Sequence, residues 1–214
     1  MKESAQIAKR PSSSGRRLLF RMSVVALLSA LGFVLMFLEF PLLPAAPYLK
    51  MDFGDLPAVL GGVLLGPGYG VLIELLKNLL DLIFKGLGSQ MGFGNFQNFL
   101  VGSAYLLPVC ICLRRFAASA GRYPVKGTAL GLPLGALSML LVGFLSNLAV
   151  APLYFRFFVG ETIPMAGALT AAWLATAFNL VKCVILTAIL LPAARYVLPP
   201  LKKMVDKSGK YGTI

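Results

Sequence analysis

Long apolar runs dominate this chain, and residues 22–38 and 129–151 contain no charged side chain. Each is close to or above the length a helix needs to cross a hydrocarbon core. In lipid every backbone N–H and C=O must find an internal partner, so a span is a helix or part of a closed barrel. Barrel strands would alternate apolar and polar positions in short segments. These runs are apolar on every face, which predicts an all-α integral membrane bundle.

Six transmembrane helices are expected, over residues 18–38, 55–66, 69–84, 96–113, 127–151 and 168–195. The second and third are short, ending and starting at the turn Gly66-Pro67-Gly68-Tyr69-Gly70. They are read as tilted, broken or shielded by neighbours. Between spans 1 and 2, residues 40–54 form a proline-containing outer loop (Pro41, Pro44, Pro47). Its Leu42, Leu43, Tyr48, Leu49, Met51 and Phe53 are too apolar for a plain linker and need something to cover. The expected organisation is a disordered basic N-terminus at 1–16, a membrane domain at 17–197 and a basic tail at 198–214. The sequence contains no internal repeat, so an inverted-repeat carrier is not supported.

Composition agrees, with 58% hydrophobic and 13% charged residues where soluble domains hold about a quarter charged. The net charge of +12 changes the picture only through its placement. Fifteen of the twenty Lys and Arg fall before or at the start of span 1, between spans 4 and 5, or at the end of span 6 and beyond. That distribution places both termini in the cytoplasm of a multi-pass plasma-membrane protein. No soluble domain presents a basic surface, so nucleic acid is not an expected partner. Cys110, Cys112 and Cys183 lie in apolar stretches and there is no histidine, so no metal site and no disulfide is implied. Gly15-Arg16-Arg17-Leu18 faintly resembles a twin-arginine signal, but Pro47 after Ala45-Ala46 disfavours cleavage and a retained first span is expected.

Charges inside lipid need a partner or a purpose. Span 3 carries Glu74, Lys77, Asn78 and Asp81, spaced by three or four and therefore on one helix face. The stripe reads either as self-neutralising, with Glu74 and Asp81 both paired to Lys77, or as a lining for a binding cavity or subunit contact. Span 6 holds Asn179 and Lys182 one turn apart, about 24 and 20 Å above Arg195 along the axis. Asn147 in span 5 falls at a comparable depth. Two amides and an ammonium suit a flat heterocycle with alternating C=O and N–H groups along one edge. The competing reading pairs Lys182 with Glu74 or Asp81 and leaves the asparagines as bridges between helices. Ala26 and Ala30 give span 1 a small-residue face.

The order of these segments resembles the substrate-binding S component of energy-coupling factor (ECF) vitamin transporters, and within it the riboflavin-uptake (RibU-type) group. The resemblance rests on Ala26–Ala30 with Phe33-Val34-Leu35-Met36-Phe37, then Met51-Asp52-Phe53-Gly54-Asp55-Leu56-Pro57-Ala58, Gly66-Pro67 with Gly70, and Lys77-Asn78-Leu79. Asn98-Phe99-Leu100, Asn147 and Asn179-Leu180-Val181-Lys182 complete it, over residues 18–195. Gly54 departs from the pattern, where serine is more usual.

The resemblance implies riboflavin as the transported ligand, taken from the outer side, with no cofactor. Asn147, Asn179 and Lys182 would meet the polar edge of the ring, and Leu49 and Met51 would cover it. Ala26 and Ala30 would dock a transmembrane coupling subunit, itself joined to two cytoplasmic ATPases. No G-x-x-x-x-G-K-[ST] motif occurs in the chain, so ATP hydrolysis would belong to those partners. The alternatives are an S component for another vitamin or for flavin mononucleotide, and an autonomous carrier. An intramembrane enzyme using Glu74 and Asp81 lacks the histidines or metal set such chemistry needs.

Overall fold

The computed structural model describes residues 13–44, 46, 49–86, 92–117 and 125–210. Among them are seven α-helices and one two-stranded hairpin. The helices are α1 (Ser13–Met36), α2 (Asp55–Leu65), α3 (Pro67–Lys85), α4 (Phe93–Arg115), α5 (Val125–Tyr154), α6 (Met165–Pro192) and α7 (Leu198–Lys210). The expected spans all reappear as α1 to α6. Helix α1 starts at Ser13, inside the stretch expected to be disordered, and residues 1–12 lie outside the described residues.

Helices α1, α4, α5 and α6 are each long and apolar enough to cross a membrane. Their outward faces carry exposed Leu27, Val34, Ile111, Leu141, Trp173 and Val184, a surface that only lipid would tolerate at this density. Helix α2 has 11 residues and a length of about 16 Å, too short to span alone. Two neighbours make its shortness possible. Arg114 of α4 donates from Nη1 to the carbonyls of Val63 (2.8 Å) and Leu64 (3.3 Å), which the end of α2 leaves without helical donors. Gly66 then turns the chain with φ 136°, a value that disfavours any side chain, and Pro67 opens α3. Helix α3 runs 19 residues, about 28 Å, so it comes close to a full crossing.

Helix α3 separates its faces sharply. Leu75, Leu79 and Ile83 are exposed, whereas Glu74, Lys77, Asn78 and Asp81 are buried. The spacing of three and four seen in the sequence therefore turns the whole polar stripe into the bundle. Gly32 on the inner side of α1 makes this approach possible, since a Cβ there would lie 3.1 Å from the Gly54 carbonyl and 3.3 Å from Lys77 Cδ.

Two regions differ from the expected pattern. The loop between α1 and α2, expected to lie outside, holds an antiparallel hairpin, β1 (Phe40–Pro41) with β2 (Lys50–Met51), in which Phe40 faces Met51. Residues 198–210, expected as a basic tail, are helical: a π-type turn at Ala193–Val197 carries α6 onward into α7. Leu198 is buried in the same core as Val63, Leu65 and Leu190, and that burial holds the start of α7 against the end of the bundle where α2 stops.

Candidate functional site

The charged residues of the interior close into a ring of polar contacts spanning four helices. Lys182 of α6 pairs with Asp55 of α2 at 2.8 Å and donates to Asn98 Oδ1 of α4 at 2.9 Å. Asn98 Nδ2 reaches Asn78 Oδ1 of α3 at 3.3 Å, and Asn78 Nδ2 donates to Glu74 Oε1 at 3.1 Å and to the Glu74 carbonyl at 2.8 Å. Lys77 pairs with Glu74 at 2.9 Å and with Asp55, which returns the circuit to Lys182. Asp52, in the link between β2 and α2, faces Lys182 at 3.6 Å. Lysine only donates, so its contact with Asn98 sets that amide with its oxygen toward Lys182 and its nitrogen toward Asn78.

The ring changes the reading of Lys182 and of the α3 stripe. Lys182 is paired, but with Asp55 and Asp52 and not with Glu74 or Asp81. Glu74 does pair with Lys77, whereas Asp81 pairs with Lys85 at 2.8 Å and accepts from Asn95 Nδ2 at 2.8 Å. Helix packing explains the shift: α2 delivers Asp55 directly between the two lysines, and the C-terminal end of α3 leaves Asp81 within reach of Lys85. The full partner set is needed because an unpaired charge at this depth costs several kcal/mol, on the order of 3–5 when one member of a buried pair is removed.

Above the ring, Asn179 and Asn147 meet at Gly143 of α5. Asn147 Nδ2 donates to the Gly143 carbonyl at 2.8 Å. Asn179, buried one turn outward of Lys182, lies so close to Gly143 that a Cβ there would overlap its Nδ2. Asn179 therefore packs on α5 at Gly143, Asn147 bonds back to its own helix, and Lys182 turns to α2, α4 and the link before α2. Met51, in β2 of the hairpin, is fully buried, and Leu49 is half-buried, its N–H donating to the Ala46 carbonyl at 3.0 Å. A second chain of ions ties the hairpin down: Lys50 pairs with Glu39 at 2.9 Å, and Lys85 bridges Glu39 at 3.5 Å and Asp81. Ala26 and Ala30 lie elsewhere, on the exposed face of α1.

Sequence reasoning missed Asp52, Asp55, Asn98 and Gly143 as members of the site. One signal was available. Two lysines inside apolar spans require acids at the same depth, and Asp52 and Asp55, three residues apart at the start of the shortest span, were the candidates still unassigned. Among the described residues no group of three or more His, Cys, Asp or Glu side chains could hold a metal ion. The polar groups gathered here are amides, carboxylates and ammonium groups, types of side chain that fix orientation in ligand sites.

The packing around Glu74 gives a direct test of the ring. A Cβ at Gly102 of α4 would lie 2.5 Å from Glu74 Oε1 and 2.8 Å from its carboxyl carbon. Gly102→Ala is therefore expected to displace a buried carboxylate and to destabilise the bundle by about 1–3 kcal/mol, the usual range for overpacking. A lowered thermal midpoint in detergent measures it, and an unchanged midpoint would mean that Glu74 is held less tightly than drawn.

The sequence pattern described as "ECF transporter, substrate-specific component" matches residues 20–194. Riboflavin transporter FmnP of Bacillus subtilis (strain 168) is 30% identical over 171 residues, covering 79% of this chain and 87% of that protein. Riboflavin transporter RibU of Staphylococcus aureus (strain TCH60) is 41% identical over 87 residues, covering 41% of this chain and 44% of that protein. In three dimensions, the solved S component of a bacterial ECF transporter superposes with a TM-score of 0.67 at 27% identity, covering 86% of this chain and 99% of that one. With a match over most of its length in sequence and in fold, the chain belongs to the substrate-specific component family of ECF transporters.

Proposed function

We propose that this chain captures riboflavin from the outer side of the membrane and passes it inward with the help of ATP-driven partner subunits. The observation that supports this reading is the burial of Lys182, Asn179 and Met51 in a chain that aligns with most of a riboflavin transporter, with Asn147 on the helix against which Asn179 packs. The pyrimidine edge of a flavin alternates C=O and N–H groups. Carboxamides supply a donor and an acceptor side by side and an ammonium supplies donors only, so the set matches that edge. The ring faces would pack on Met51 and Leu49, and burial of flat apolar area would supply most of the affinity.

The orientation follows from charge. Arg16, Arg17 and Arg21 open α1, and Arg195, Lys202 and Lys203 follow α6, which favours a cytoplasmic location for both ends. The hairpin and the ligand set then lie toward the outside. Release against tight binding requires work, and the chain has no phosphate-binding loop of its own, so a transmembrane coupling subunit and two ATPases would supply it.

Titrating the purified protein with riboflavin while following flavin fluorescence tests the reading. Saturable quenching at sub-micromolar vitamin is expected, with thiamin giving none and the mononucleotide reporting whether a phosphate is accepted. Absence of quenching at micromolar riboflavin would overturn it. Riboflavin uptake by cells that lack the coupling subunit and ATPases would instead identify an autonomous carrier.

A further inference from the structure

The surroundings of Lys182 are asymmetric. An ammonium has three N–H donors. Asp55 and Asn98 stand close, at 2.8 and 2.9 Å, while Asp52 Oδ2 faces the same nitrogen at 3.6 Å, beyond hydrogen-bond reach. Asp52 is also the acid of this group that belongs to the lid side: it follows β2 directly, and its other oxygen, Oδ1, accepts from the Gly54 N–H at 2.8 Å. It is buried all the same. Lys182 thus has two close contacts for its three donors, and a carboxylate on the lid segment faces the same ammonium without a hydrogen bond.

The charge count sets Asp52 apart again. Asp52, Asp55 and Glu74 are three buried acids facing two buried cations, Lys77 and Lys182. The neighbouring acids Asp81 and Glu39 are matched by Lys85 and Lys50. Asp55 is shared by both lysines and Glu74 is held by Lys77 at 2.9 Å, so Asp52, 3.6 Å from Lys182, is the acid of the three with the loosest cation partner. A buried carboxylate without a close cation is costly, and its loose attraction to Lys182 only partly offsets that cost.

We infer that Asp52 is an affinity-setting residue of the ligand site: a lid-borne carboxylate that competes with the ligand for the third donor of Lys182. The inference rests on the riboflavin reading. In the absence of ligand, Asp52 draws that donor toward the lid. A ligand carbonyl that takes the donor displaces the acid, so part of the binding free energy goes into breaking this attraction. The lid acid therefore tunes affinity downward, which suits a subunit that must also let its cargo go.

Asp52→Asn isolates the effect. The amide keeps an Oδ1 to accept from Gly54, leaves two acids against two lysines, and removes the carboxylate's pull on Lys182. Riboflavin titration of the full chain in detergent is expected to give a Kd about fivefold lower than that of the unaltered protein, within the range a charge-assisted contact can supply. The ligand-free thermal midpoint is expected to stay level or rise. Asp55→Asn provides the contrast: it removes the acceptor shared by Lys77 and Lys182, so it should weaken binding and lower the midpoint together. A gain in affinity is a result that a merely structural aspartate would not give. Equal or weaker binding by Asp52→Asn, with the unaltered protein still binding riboflavin, overturns the competitor role alone. Failure of the unaltered protein to bind riboflavin removes the functional reading and this inference with it.

Discussion

Lys182→Met is expected to lower riboflavin affinity on the order of a hundredfold or more, because it removes both a ligand donor and the centre of the polar ring. The substituted chain should still reach the membrane in normal amounts, since methionine is cheaper than lysine in a lipid-spanning helix. Its stability is a separate matter. With Lys182 gone, Lys77 alone faces Asp52, Asp55 and Glu74, so the thermal midpoint should fall as well. Combining Lys182→Met with Asp55→Asn returns the surplus to a single negative charge and should recover part of the midpoint while binding stays lost. That separation distinguishes a ligand-binding lysine from a purely structural one. If riboflavin affinity survives Lys182→Met, the ring is scaffolding and the ligand meets other residues.

Ala26→Leu combined with Ala30→Leu is expected to bring riboflavin uptake in cells carrying the coupling subunit and ATPases down to background, while binding by the purified subunit remains unchanged. Both alanines face outward on α1, whereas Val25, Ser29 and Gly32 face the bundle, so added bulk cannot disturb the ring or the lid. Small residues four apart let a second helix approach closely, and two leucine side chains close that track. Leu27→Ala on the same exposed side should leave uptake intact, because it removes bulk. Uptake that persists in the double leucine variant would place the docking surface on another helix.

The helices were legible in the sequence because their cause is local. A run without charges, long enough to cross hydrocarbon, forms a helix wherever its neighbours lie, and each of the six expected spans appears within a few residues of its predicted bounds. The inward direction of Glu74, Lys77, Asn78 and Asp81 was legible for the same reason, since a period of three to four puts them on one side of α3. Boundaries fared less well. Nothing in the local pattern announced that Ser13 already belongs to α1, or that residues 198–210 continue as a helix once Leu198 finds a core beside Leu65.

What the sequence by itself determined is the number, placement and polar faces of the helices, together with the requirement that Lys77 and Lys182 find acids. Which acids they find was decided only by the tertiary structure. Asp55 lies 22 residues from Lys77, and Asn98 lies 84 from Lys182. No period within one helix encodes either meeting. Burial demands that each charge be answered, but the answer comes from whichever side chain the packing brings to the same depth. Here the short α2 and the close approach of α1 at Gly32 set that depth, and so place an acid of the lid segment opposite the lysine of the candidate site.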